Sequence, residues 1–176
     1  IILFFGLIRP YKGLKNLLNA VKEMLSDSDE LRLIIAGEAY QKLDDYKSII
    51  NQYNINNKVI WINKFIDDNT IEKLMIASDL LVLPYDSASQ SGVLAQAWQY
   101  NLPSIVTNVG GLPEYVDHSK SGYIVEANNI DELKQKILHF FISNNFDDMS
   151  KYIKLNKEKF SWNNYINGII ELANES

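Results

Sequence analysis

Short apolar runs alternate along this chain with longer stretches in which apolar residues recur every three or four positions. That rhythm predicts strands buried on both faces, separated by amphipathic helices. Ile1–Phe5 reads as a first strand. Leu14, Leu17, Leu18, Val21 and Leu25 then repeat at helical spacing. Leu31–Ala36 reads as a second strand, Leu43–Tyr53 as a helix, Val59–Ile62 as a third strand and Leu80–Leu83 as a fourth, stopped by Pro84. Gly92–Tyr100 reads as a helix, Ser104–Thr107 and Tyr123–Glu126 as strands. Asn69 with Glu72, and Asn129 with Glu132, have the spacing of capping boxes that open helices. Helical patterns close the chain, the last starting at Ser161. Alternating strands and helices predict an α/β fold: a single doubly wound, Rossmann-like domain of about six parallel strands with helices on both faces.

In such a sheet, ligands bind outside the carboxyl ends of the strands, so the loops that follow strands are the ones to inspect. The loop after the first strand reads Gly6-Leu7-Ile8-Arg9-Pro10-Tyr11-Lys12-Gly13. Its glycines permit a tight turn, Arg9 and Lys12 supply cations, and the following helix start supplies backbone donors. It lacks the spacing of a dinucleotide fingerprint, and no Ser or Thr follows the lysine as in a Walker loop. Alone it reads equally well as an ordinary strand-to-helix turn. The loop after the fourth strand, Pro84 to Ser91, places the amides of Ser91, Gly92 and Val93 at a helix start. Gln96 lies about one helical turn further on. Two anion sites on one sheet edge suggest a diphosphate held from both sides.

Composition narrows the classes. The chain has 176 residues, no cysteine and a net charge of −5. One domain is expected, without disulfides or cysteine-based metal sites. The charge and the lack of a basic run argue against nucleic acid as a partner. The start within an apolar run reads as a piece of a longer protein, with no signal peptide in view. Asp27-Ser28-Asp29 has a DxD spacing but falls at the amino end of a strand, so it reads as a solvated turn, and no metal is expected. His118 and His139 have no partner that suggests catalysis. Trp61, Trp98 and Trp162 read as core or interface anchors. A receiver-type signalling domain would need acidic residues where Phe5 and Gly6 stand.

Ordered motifs along the chain resemble those of the C-terminal, donor-binding domain of family 4, GT-B fold, retaining glycosyltransferases. Phe5-Gly6 with Lys12-Gly13 resembles the family's first phosphate loop, and Leu33–Glu38 its second-strand motif. Val59–Phe65 resembles the strand whose following backbone receives the base. Ala77–Pro84, Pro103–Glu114 and Phe160-Ser161-Trp162 resemble three further family segments. The resemblance implies one domain over 1–176, one half of a GT-B fold, with an N-terminal acceptor domain absent. It implies that Arg9 and Lys12 stabilise the departing nucleotide diphosphate. Gly6, Gln90, Ser91, Gly92, Val93 and Gln96 would complete the donor site, with the base at the backbone of Phe65 and Ile66. The implied partners are a nucleotide diphosphate sugar, by analogy a UDP-sugar, the missing domain, and an unidentified glycan or lipid acceptor. No cofactor is implied. A bacterial, cytoplasmic enzyme of glycan synthesis is expected, peripheral at a membrane only through the missing half.

The chain departs from the family pattern in three places. The two glutamates that the family carries around the fourth loop fall on Ala88 and Gln96. Arg9 also sits nearer to Lys12 than is usual there. Asp86, Ser89 and Gln90 are the nearest polar residues to take over the lost sugar contact. A binding module without catalysis is therefore the alternative expectation.

Overall fold

Ile2–Phe5 forms the first strand, β1, and each of its residues is buried. Its alternation divides the core. Ile2 and Phe4 join the apolar cluster on one face of the sheet, Leu3 and Phe5 the cluster on the other, as a period of two requires. The computed structural model describes residues 1–40, 42–160, Ile166 and Ile170. The further strands are β2 (Leu33–Ala36), β3 (Val59–Ile62), β4 (Leu80–Leu83), β5 (Ser104–Thr107) and β6 (Gly122–Val125). The helices are α1 (Leu14–Asp27), α2 (Asp44–Gln52), α3 (Asp68–Ala77), α4 (Gly92–Gln99), α5 (Ile130–Ile142) and α6 (Phe146–Leu155).

All strand pairs are parallel, in the order β3-β2-β1-β4-β5-β6. Residues of α1, α2 and α5 fill one face and those of α3 and α4 the other. The six parallel strands and two helical layers are those expected from the sequence. The chain winds outward from β1 to β3, then returns to the other side of β1 and winds outward again through β6. The order reverses between β1 and β4, so the switch point of the sheet lies between these two strands.

Why α1 forms is plain from its stripe. Leu14, Leu17, Leu18, Val21 and Leu25 are fully buried, and each contributes about 1.5–3 kcal/mol by leaving water. Asn129 caps α5 as expected, its side chain accepting from the Glu132 amide at 3.1 Å. The Glu132 carboxylate, however, accepts from the Glu126 backbone amide and the Asn129 side-chain amide, and not from the Asn129 backbone amide, which donates to the Glu126 carbonyl. The start of α3 differs from expectation. Asp67, not Asn69, is its N-cap, accepting from the Thr70 amide at 3.0 Å and the Thr70 hydroxyl at 2.9 Å. Two adjacent aspartates make the earlier start the better one, because Asp68 then occupies the first turn near the positive end of the helix dipole. β3, at one edge of the sheet, is half-exposed.

Trp98 is a core anchor: it is buried, and its Nε1 donates to the Tyr115 carbonyl at 2.7 Å. Trp61 packs on Tyr46 with ring centroids 5.9 Å apart. Ser161 and Trp162 lie outside the described residues. So does the helix expected from Ser161, apart from Ile166 and Ile170. Asp27-Ser28-Asp29 spans the end of α1, with Asp29 3.4 Å from Lys58 Nζ, on the sheet edge opposite the phosphate-type loops. His118 Nδ1 accepts from the Ile124 amide and His139 Nδ1 lies 3.2 Å from the Ser143 hydroxyl.

Candidate functional site

Gly6 ends β1 in a left-handed conformation, φ 116°. A Cβ there would stand 3.0 Å from Lys12 Nζ and 3.7 Å from Val93 Cγ2. Lys12 and the start of α4 therefore converge over the bare backbone of Gly6. Between Gly6 and α1 the chain makes a short 3-10 turn, Pro10–Lys12, which sets Lys12 back over the strand end. Gly13 follows at φ 67°, and any Cβ on it would overlap the carbonyl oxygen of Pro84. The Asp86 amide donates to the Tyr11 carbonyl at 2.7 Å. The loops after β1 and β4 are thus in direct contact at the switch point.

Of the loop's two cations, Lys12 is half-buried and Arg9 exposed. Burial lowers the Lys12 ammonium pKa, and the neighbouring charge of Arg9 lowers it further. The Arg9 guanidinium lies 4.6 Å over the Tyr40 ring, whose hydroxyl donates to Glu38 at 2.9 Å. That bond, then the charge of Glu38, raises the Tyr40 pKa. Lys12 Nζ lies 5.2 Å over the ring of Tyr85. Tyr85 is buried, and desolvation pushes its hydroxyl up to about 12.

Ser91 is the N-cap of α4, and its side chain makes no capping bond. The amides of Gly92 and Val93 are among the orphan donors every helix start leaves open, and the space above Gly92 is clear. Ser91 itself is buried. Gln96, half-buried, follows in α4. Gln90 is exposed on the preceding loop and lies against Gly111, where a Cβ would crowd its Nε2. The Gly111 amide donates to the Ser89 carbonyl at 2.8 Å. Gly110, at φ 51°, has the Ala88 carbonyl where its Cβ would stand. The paired glycines exist because the Ala88–Gln90 loop lies on them.

The structure thus brings Gly6, Lys12 and Val93 together, with Ser91 and Gly92 beside them and Arg9 held outside on Tyr40. Phe65 and Ile66 lie apart from this cluster, beyond β3 and separated from β1 by β2. Phe65 is 77% exposed, while Ile66 is buried in the core. Their stretch is tied to the first loop through Asn63, which accepts from the Ala39 amide, and through the bridge of Ala39 to Ile8. The residues missed in the sequence are Tyr85, Tyr40 and Glu38. Tyr85 gave no signal there, because a tyrosine after a buried strand reads as core. Among the described residues no group of three or more His, Asp or Glu side chains is placed to hold a metal ion. No described helix is long and apolar enough to cross a membrane.

Sheet order and loop placement define a Rossmann-like α/β domain with its cationic loop at the switch point. Residues 1–160 match the family model described as glycosyl transferases group 1, and the chain belongs to that family. It is 28% identical to an uncharacterized glycosyltransferase of Methanocaldococcus jannaschii, over 98% of this chain and 47% of that protein. It is 27% identical to N-acetyl-alpha-D-glucosaminyl L-malate synthase of Bacillus anthracis, over 72% of this chain and 32% of that protein. The chain spans less than half the length of these relatives. In fold it matches the C-terminal domain of a group 1 family glycosyl transferase from Francisella tularensis, with TM-score 0.81 and 23% identity over 92% of this chain and 86% of that one. It also matches the Anabaena protein HepE in complex with UDP and glucose, with TM-score 0.80 and 20% identity over 99% of this chain and 48% of that one. The fold is that of a GT-B C-terminal domain.

Proposed function

We propose that this chain is the donor-binding domain of a retaining glycosyltransferase and holds a nucleotide diphosphate sugar, UDP-sugar first. The observation that carries this reading is the meeting of Lys12 and the α4 start over Gly6 at the switch point. A backbone without a side chain, a half-buried ammonium and free helix amides together suit a diphosphate. The HepE complexes with UDP support the choice of nucleotide by analogy.

In this reading 1–176 is one domain, and an N-terminal domain of the longer protein brings the acceptor, a glycan or lipid. The bond from the anomeric carbon to the β-phosphate oxygen breaks as the acceptor oxygen bonds to that carbon on the same face. Arg9, Lys12 and the amides of Ser91, Gly92 and Val93 stabilise the negative charge that develops on the departing diphosphate. A phosphate oxygen takes the acceptor's proton, so no protein base and no metal are needed. Phe65 and Ile66 receive the base through their backbone, Gln96 bonds the ribose and Gln90 faces the sugar. The enzyme works at or near the cytoplasmic face of a membrane through its other half. Ala88, which offers no carboxylate to the sugar, favours the alternative of a non-catalytic binding module. Assaying sugar transfer in the longer protein, with the anomeric configuration of the product read by NMR, separates the two. Retained configuration supports the proposal. Inverted product, or donor binding without turnover on any acceptor, contradicts it.

A further inference from the structure

Ile8 and Ala39 form an isolated parallel bridge between the loops after β1 and β2. The Ile8 amide donates to the Glu38 carbonyl at 2.9 Å, and Asn63 Oδ1 accepts from the Ala39 amide at 2.9 Å. The two loops also touch at their glycines, since a Cβ on Gly37 would overlap the Gly6 carbonyl oxygen. Arg9 and Tyr40 follow Ile8 and Ala39 in register, so the bridge sets them side by side. The Arg9 guanidinium lies 4.6 Å over the Tyr40 ring. The hydroxyl of the same ring donates to the Glu38 carboxylate at 2.9 Å. Among the described residues no carboxylate stands within ion-pair distance of Arg9.

We propose that Tyr40 is a positioning residue of the donor site: its ring holds Arg9 by the face of the guanidinium and its hydroxyl occupies Glu38, so the N–H edge of Arg9 stays open to the donor's diphosphate. This rests on the donor-binding reading above. An arginine close to a carboxylate tends to pair with it through two parallel hydrogen bonds, and a phosphate must then displace that partner. An aromatic ring attracts the cation through its π face and uses none of the five in-plane donors of the guanidinium. Glu38 is the carboxylate that the bridge brings nearest in sequence to this pair, and the Tyr40 hydroxyl engages it. Tyr40 is 59% exposed, so substitutions there act on Arg9 and Glu38 and leave the core intact.

Two measurements on the 176-residue chain test this: calorimetric titration with UDP, and the NMR shift of the Arg9 δ-methylene protons without nucleotide. Tyr40→Phe keeps the ring and frees Glu38 to pair with Arg9, so UDP affinity falls about fivefold, the upper value for an exposed ion pair that has to be broken. Glu38→Gln in the Tyr40→Phe background removes the competitor and restores affinity to within about twofold. Tyr40→Ala removes the platform, so the upfield ring-current shift of Arg9 is lost and UDP affinity falls about two- to fivefold, as for an exposed cation–π contact. In an Arg9→Ala background Tyr40→Ala changes affinity by less than about twofold. A loss of equal size there overturns the proposal, because Tyr40 then acts without Arg9. Absence of the ring-current shift, unchanged affinity in both Tyr40 variants, or a Tyr40→Phe defect that Glu38→Gln does not rescue also overturns it. If the unaltered chain binds no UDP, the donor reading fails and this proposal with it, whereas UDP binding indifferent to Tyr40 overturns this proposal alone.

Discussion

Gly13 and Pro84 touch backbone to backbone, and the α1 helix starts where the two meet. Gly13 sits at φ 67°, and a side chain on it would overlap the Pro84 carbonyl. Gly13→Ala therefore has to separate the two phosphate-type loops. Urea unfolding is expected to show a loss of about 2–4 kcal/mol, combining left-handed strain with the backbone clash. A loss below about 1 kcal/mol shows that the loops part freely.

Trp98 links α4 to the segment after the paired glycines. Its Nε1 donates to the Tyr115 carbonyl inside the core. Trp98→Phe removes that donor and part of the ring, and a loss of about 1–3 kcal/mol is expected from the bond alone. Denaturant midpoints of the two proteins give the comparison.

Most of the fold was legible in the sequence because the strands are short, continuously apolar and buried on both sides. Ile2–Phe5 and Leu80–Leu83 have no other reading at that length. The caps were less legible. Asp67, Asp68 and Asn69 all favour a helix start, and only the position of Thr70 relative to Asp67 selects among them. The candidate site was half-legible. Gly6, Arg9 and Lys12 announce themselves by residue type at a strand end. Tyr85 and Tyr40 do not, because their roles depend on which loops the sheet order brings together. Tyr85 meets Lys12 only because β1 and β4 are neighbours.

The depressed pKa of Lys12 gives a pH dependence with a defined sign. Burial first, and the charge of Arg9 second, hold it below its ordinary 10.5. Between its folded pKa and 10.5 the unfolded chain binds the extra proton, so stability rises with pH through that interval. Diphosphate binding requires the charged form, so UDP affinity falls as pH rises through the same folded pKa. Lys12→Arg, charged at all these pH values, is expected to flatten the fall. Titrations from about pH 7 to about pH 10 measure both.

Gln96 stands where a ribose-binding carboxylate is expected for the family. Gln96→Ala is expected to weaken UDP by about three- to tenfold, the value of one or two hydrogen bonds. It is expected to leave the affinity for a 2′,3′-dideoxy analogue nearly unchanged. Equal losses for both ligands remove Gln96 from the ribose.

Arg9 and Lys12 are proposed to hold a diphosphate at the switch point. Calorimetric titration of the chain with UDP and GDP, beside the Arg9→Ala plus Lys12→Ala double variant, tests it most directly. Saturable binding of at least one of the two nucleotides is expected, with a loss of about 100-fold or more in the double variant, as removal of two charge-assisted contacts implies. Binding of equal strength in both proteins contradicts the placement of the phosphates, and binding of neither nucleotide contradicts the donor site itself.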